Sequence, residues 1–160
     1  MRFKLKILHV DESVLDPSMP PAEHLEEFRK RFAEAGDYLS AKLEDIYEFK
    51  GQSEIVEGIE GLGTQGNSNT EAMRALLSAL PSPTSREDMA GIVRTRLIVA
   101  IAKREGCTGV LWGDTTTRLA DKIMTEAAKG RGFSLPWQIS DTMSPYGRNH
   151  DLSGSRDDKS

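Results

Sequence analysis

The stretch that most constrains this chain is residues 110–136, VLWGDTTTRLADKIMTEAAKGRGFSLP. It follows Gly109 and opens on an apolar run, Val110-Leu111-Trp112, of the kind that makes a buried strand. Gly113 ends the run and three threonines follow. Leu119, Ala120, Ile123, Met124, Ala127 and Ala128 then recur at helical spacing on one broad face, with Arg118, Asp121, Lys122, Thr125 and Glu126 on the other. Thr115 or Thr116 serves as N-cap. Gly130 and Gly132 stop the helix, with Lys129 and Arg131 near its negative end. Strand, tight turn and hydroxyl-capped helix make half of a βαβ unit. In open α/β sheets, ligands bind beyond the carboxyl ends of the strands, where helix N-termini point their amides. Asp114, Thr115, Thr116 and Thr117 then rim a nucleotide or phosphate site. The plainer alternative is that these threonines only cap the helix.

The preceding chain supplies further α/β elements. Residues 1–10, MRFKLKILHV, alternate and then become continuously apolar, which predicts a strand entering a sheet. Asp11 follows at its carboxyl end, where an acidic group either holds a ribose hydroxyl or starts a turn. A helix is expected over residues 23–35, with Leu25, Phe28, Phe32 and Ala35 on one face. A second strand is expected over 42–49, carried by Leu43, Ile46, Tyr47 and Phe49. Residues 51–70, rich in Gly, Asn, Ser, Thr and Gln, read as a long mobile loop. Thr70 is placed to cap a helix over 71–80, closed by Pro81 and Pro83. Ser85 and Asp88 resemble a capping box for a helix over 86–105. Its segment 92–102 is apolar apart from Arg94, Thr95 and Arg96, so most of this helix should be buried. Gly106 ends it, Cys107 lies at the turn, and a strand is expected over 108–112. After Asp141 almost nothing apolar remains, and residues 142–160 read as a disordered tail. One α/β domain over residues 1–141 is expected.

Charge and cysteine content narrow the function classes. The net charge of −4 does not mark a global nucleic-acid binder. Residues 1–60 carry 14 acidic and 8 basic side chains, whereas 61–160 carry 11 and 13, so any basic surface is local. The single cysteine excludes an intramolecular disulfide. Together with His9, His24 and His150 it is a poor zinc set. No apolar run approaches the roughly 20 residues that span a bilayer, so no membrane partner is expected.

WGDTTTRLADKIM, followed by AAKGRGFSLPWQISD, resembles the cytoplasmic tRNA 2-thiolation protein 2 family, as does LHVDESVLDPS near the N-terminus. The resemblance implies the adenine-nucleotide α-hydrolase-like fold of tRNA-thiolating ATP pyrophosphatases, a Rossmann-like, doubly wound, mostly parallel α/β sheet. Catalytic relatives carry a Gly-His-Asn-Ala-Asp-Asp string where this chain has Gly113-Asp114-Thr115-Thr116-Thr117-Arg118. They also cradle phosphates with a Ser-Gly-Gly loop after the first strand. No such string occurs here, and the chain reads as a truncated version that lacks the phosphate-loop strand. Their Cys-x-x-Cys pair aligns with Glu87 and Ala90, neither of which can carry sulfur. Cys107, about 25 Å further along the same helix at 1.5 Å per residue, cannot replace it.

The resemblance therefore implies a non-catalytic subunit in the cytoplasm, paired with a catalytic thiolase. That complex would 2-thiolate the wobble uridine of tRNAs with sulfur from a thiocarboxylated ubiquitin-related modifier. ATP is the cofactor it implies for the complex. Arg118, Lys122, Lys129 and Arg131, expected on the exposed face and end of the central helix, are the candidate RNA contacts, or else ordinary solvated charges. Phe133, Pro136 and Trp137 form an apolar segment that packs on the domain or meets a partner. The competing reading is a nucleotide-binding domain that binds or hydrolyses ATP on its own, with Asp114 holding Mg²⁺ or activating water.

Overall fold

A computed structural model describes residues 4–16, 23–32, 36–51, 54–57, 59 and 68–135. The chain forms two compact units, Met1–Ala100 and Ile101–Ser160. It is mixed α/β, with one small parallel sheet among the described residues.

In the first unit, strand β1 (Lys6–Asp11) pairs in parallel with β2 (Asp37–Lys42), with Leu8 opposite Leu39 and Asp11 opposite Lys42. Helix α1 (Glu23–Phe32) lies between them in sequence, as a parallel pair requires of its connection. Residues 33–35 and the side chains of Leu25, Phe28 and Phe32, which carried the expected apolar face, lie outside the described set. Gly36 enters β2 so close to β1 that a Cβ would sit 2.1 Å from the Leu5 carbonyl oxygen.

The expected strand over 42–49 is replaced. β2 ends at Lys42, and Leu43–Phe49 is a 3-10 helix. Its entry is fixed by the Lys42 amide, which donates to Asp45 Oδ2 at 2.7 Å. Leu43, Ile46 and Phe49 are three residues apart, so a helix of three residues per turn aligns them on one side. All three are buried. The apolar positions that suggested alternation therefore include a 3-10 stripe. Glu44, one residue on, is also buried and accepts the Thr70 hydroxyl at 3.0 Å, which ties the 3-10 helix to α3 (Asn69–Ser78).

The segment expected to be a long loop contains α2 (Glu54–Glu57), with Val56 and Ile59 fully or nearly buried. Residues 52, 53, 58 and 60–67 lie outside the described set. α3 starts two residues earlier than expected, because the Ser68 hydroxyl, and not that of Thr70, accepts the Glu71 amide at 3.2 Å. α4 (Pro83–Arg104) also starts early. Ser82 Oγ takes the Ser85 amide at 3.1 Å and Pro83 occupies the first helical position, so the Ser85–Asp88 box is not the cap. Ala90, Val93, Leu97 and Ala100 form its buried stripe at helical spacing. With Leu43, Ile46, Val56 and Met73 they make up much of the core of this unit.

The second unit holds the end of α4 and α5 (Thr116–Ala128). Both helices finish in the same way. At α4, Gly106 adopts φ +66°, its amide reaches the Lys103 carbonyl at 3.1 Å, and the Cys107 amide reaches Ala102 at 2.9 Å. At α5, Gly130 adopts φ +72°, with Gly130 to Ala127 at 3.0 Å and Arg131 to Glu126 at 2.8 Å. These are Schellman closures, and only glycine adopts the left-handed position without cost. The short 3-10 turn Gly132–Ser134 follows.

The strand expected over 108–112 does not form. The segment is irregular, and no described strand lies beside it to pair its amides. Leu111, 77% exposed, is not a core residue. The apolar face expected for α5 is likewise uncovered. Its half-buried stripe runs Leu119, Lys122, Glu126 and Lys129, while Met124 is 72% exposed. The expected tail at 142–160 lies outside the described residues.

Candidate functional site

The residues singled out from the sequence fall in both units. Asp11, in the first, ends β1 and is half-buried. Its Oδ1 accepts the Ser13 amide at 2.9 Å. That bond makes an Asx turn, so the turn-starting alternative for Asp11 is the one seen.

Asp114, Thr115, Thr116 and Thr117 lie in the second unit, and all are exposed. Thr115 is the N-cap of α5, its Oγ1 accepting the Arg118 amide at 3.3 Å. The capping role is thus present. The strand that would have made Gly113–Asp114 a sheet edge is not. Arg118 and Arg131 are exposed as expected, whereas Lys122 and Lys129 are half-buried, because the covered side of α5 is the one on which they lie. Phe133 is 74% exposed, and Pro136 and Trp137 lie outside the described residues. No group of three or more metal-ligating side chains occurs among the described residues. No described helix is long and apolar enough to cross a membrane.

The feature that sequence reasoning missed is a half-open cavity in the first unit, of about 490 Å³. Val14, Leu77 and Ala90 give it a buried apolar floor, and the three arginines Arg74, Arg86 and Arg94 also line it. Glu87 adds one carboxylate and Ser78 one hydroxyl. Three segments build it: the turn after β1, the end of α3 and the first turns of α4. Glu87 and Ala90, which the sequence resemblance sets against a sulfur-carrying pair, both line it.

Arg94 is held by a two-point ion pair. Its Nη2 donates to Glu12 Oε2 at 2.9 Å, and its Nε donates to Glu12 Oε1. Arg74 and Arg86 make no ion pair among the described residues. The only trace of this site in the sequence is that Arg94 and Arg96 interrupt an apolar run. Nothing local connects Arg94 to a carboxylate 82 residues away.

No protein-family model matches the chain, and no solved structure does. Several curated proteins do match. A protein named cytoplasmic tRNA 2-thiolation protein 2 from Phaeosphaeria nodorum is 43% identical over 146 residues, or 90% of this chain. By sequence these residues belong to the cytoplasmic tRNA 2-thiolation protein 2 family. Members from Sclerotinia sclerotiorum and Pyrenophora tritici-repentis are 40% and 35% identical, over 91% and 92% of the chain. The chain spans 37–39% of the length of these three family members.

Proposed function

We propose that this chain acts in 2-thiolation of the wobble uridine of cytosolic tRNAs of the Lys, Glu and Gln type, as a non-catalytic subunit in the cytoplasm. Its partner is a catalytic thiolase, and the sulfur comes from a thiocarboxylated ubiquitin-related modifier. The observation that carries this reading is the 43% identity over nine-tenths of the chain to a protein bearing the thiolation name. The parallel β1–β2 pair, joined through α1, supports a Rossmann-like sheet shared with the thiolating ATP pyrophosphatases.

The side chains support the non-catalytic part. Sulfur transfer needs a thiolate. Glu87 and Ala90 stand where the sulfur-carrying pair would be, and Ala90 is buried in the cavity floor. Cys107 closes the far end of α4 through its backbone. Exposed Arg118 and Arg131 are the RNA-facing cations of the second unit in this reading, and ATP belongs to the partner.

The test is recovery of the chain from cytosolic extract with its complex, followed by mass identification and a tRNA assay. A co-purifying thiolase bearing a Cys-x-x-Cys pair, together with tRNA, is the expected result. Recovery of neither, with ATP turnover by the purified chain, overturns the subunit reading in favour of an autonomous ATP-using domain.

A further inference from the structure

We propose that the arginine-lined cavity of the first unit is an RNA-binding subsite, in which Arg74 and Arg86 take backbone phosphates. This rests on the tRNA reading above and assigns it a place.

Three arginines line the cavity, and Arg94 is already neutralised by Glu12. Glu87 is the one carboxylate in the lining, and the surplus positive charge resides on Arg74 and Arg86. The chain as a whole is acidic, with net charge −4. Two exposed arginines on such a surface have carboxylates in abundance to fold onto, yet neither makes an ion pair among the described residues. A guanidinium presents a planar fork of donors that matches phosphate oxygens two at a time.

The shape selects among anions. A cavity of about 490 Å³ is in the range that holds a small-molecule-sized group. Its floor of Val14, Leu77 and Ala90 suits a ribose or base face, and the Ser78 hydroxyl is a further donor at the wall. It opens to solvent, and both arginines are exposed at its rim, so a polynucleotide can enter one nucleotide and continue past. The Arg94–Glu12 pair anchors the wall and leaves the two outer arginines to the ligand.

The test measures binding of the full chain to a tRNA transcript across a salt series. Arg74→Gln with Arg86→Gln should weaken binding about tenfold or more at physiological salt. It should also lower the slope of log affinity against log salt by about 1.5, the value for two lost phosphate contacts. Glu87→Gln, which removes the opposing charge, should tighten binding severalfold. Arg29→Gln with Lys30→Gln on α1, the control, should leave the slope unchanged. All variants should keep the parent melting temperature, because the replaced side chains are exposed. An unchanged slope in the double variant overturns the proposal, and so does displacement of the tRNA by micromolar AMP, which would mark a free-nucleotide pocket. The two readings fail separately. Thiolation that depends on the chain while the double variant binds tRNA normally removes this subsite alone. Lost tRNA binding in the double variant, with thiolation unaffected in cells lacking the chain, removes the thiolation role alone.

Discussion

Arg94, in the middle of α4, donates through Nε and Nη2 to both carboxylate oxygens of Glu12, in the turn after β1, across 82 residues of sequence. The pair fastens the longest described helix to the turn after the first strand, and its Arg94 lines the arginine-lined cavity. Its side chains are 44% and 23% exposed, so solvent screens part of the attraction. The expectation is that Arg94→Met or Glu12→Gln costs about 1 kcal/mol, between the value of an exposed pair and that of a desolvated one. Urea denaturation of the two single variants and the double variant checks it. The double variant should lose less than the sum of the singles.

Gly36 is the described glycine that another segment approaches most closely, with the Leu5 carbonyl where its Cβ would be. The Asp37 amide donates to that same carbonyl at 3.1 Å, so the two strands cannot move apart without breaking it. Gly36→Ala should destabilise the fold by about 1–3 kcal/mol, the usual range for overpacking, read as a lower urea midpoint with unchanged m. Gly91, which has open space around its Cβ position, is the control.

Tyr47 is buried in the 3-10 helix, and its hydroxyl has no hydrogen-bond partner among the described residues. Desolvation pushes the phenol above its ordinary pKa of 10.0. The folded state therefore holds the proton more tightly than the unfolded chain. The associated stability is fully present below pH 10 and is lost as pH rises through the folded value. Tyr47→Phe should be neutral to stabilising by up to about 1 kcal/mol at pH 7, because a buried unpaired hydroxyl is removed. It should also soften the alkaline loss of stability, which denaturation at pH 7 and pH 11 would show.

The Asp37 carboxylate is held below its ordinary pKa first by a hydrogen bond from Lys4 and then by that ammonium's charge, in a 2.8 Å ion pair. A lowered carboxylate pKa stabilises the fold above the unfolded value, and the contribution is lost as pH falls through the folded one. Lys4→Met should return Asp37 to the ordinary carboxylate range, visible in its NMR titration, with little change in melting temperature because the pair is exposed.

Helices were the legible part of this sequence. Thr115 as a cap and Gly106 and Gly130 as stops act through bonds within a few residues, and each appears in the structure, whereas Pro83, read as closing the helix before it, opens α4. The strands were less legible because a strand exists only with a partner. Val110-Leu111-Trp112 has the composition of one but has no described neighbour to pair with. Leu43, Tyr47 and Phe49 fit period two, whereas Leu43, Ile46 and Phe49 fit period three, and the link from Glu44 to Thr70 accompanies the second. The cavity was invisible, since Arg74, Arg86 and Arg94 are brought together only by the packing of α3, α4 and the turn after β1.

The central claim is that this chain serves tRNA thiolation, and quantifying 2-thiouridine tests it most directly. tRNAs of the Lys, Glu and Gln type would be isolated from cells lacking the chain and from cells in which it is restored, then digested and measured by mass spectrometry. The wobble 2-thiouridine derivatives should fall below a tenth of the parent level without the chain and recover with it. Unchanged 2-thiouridine in the deleted cells would contradict it.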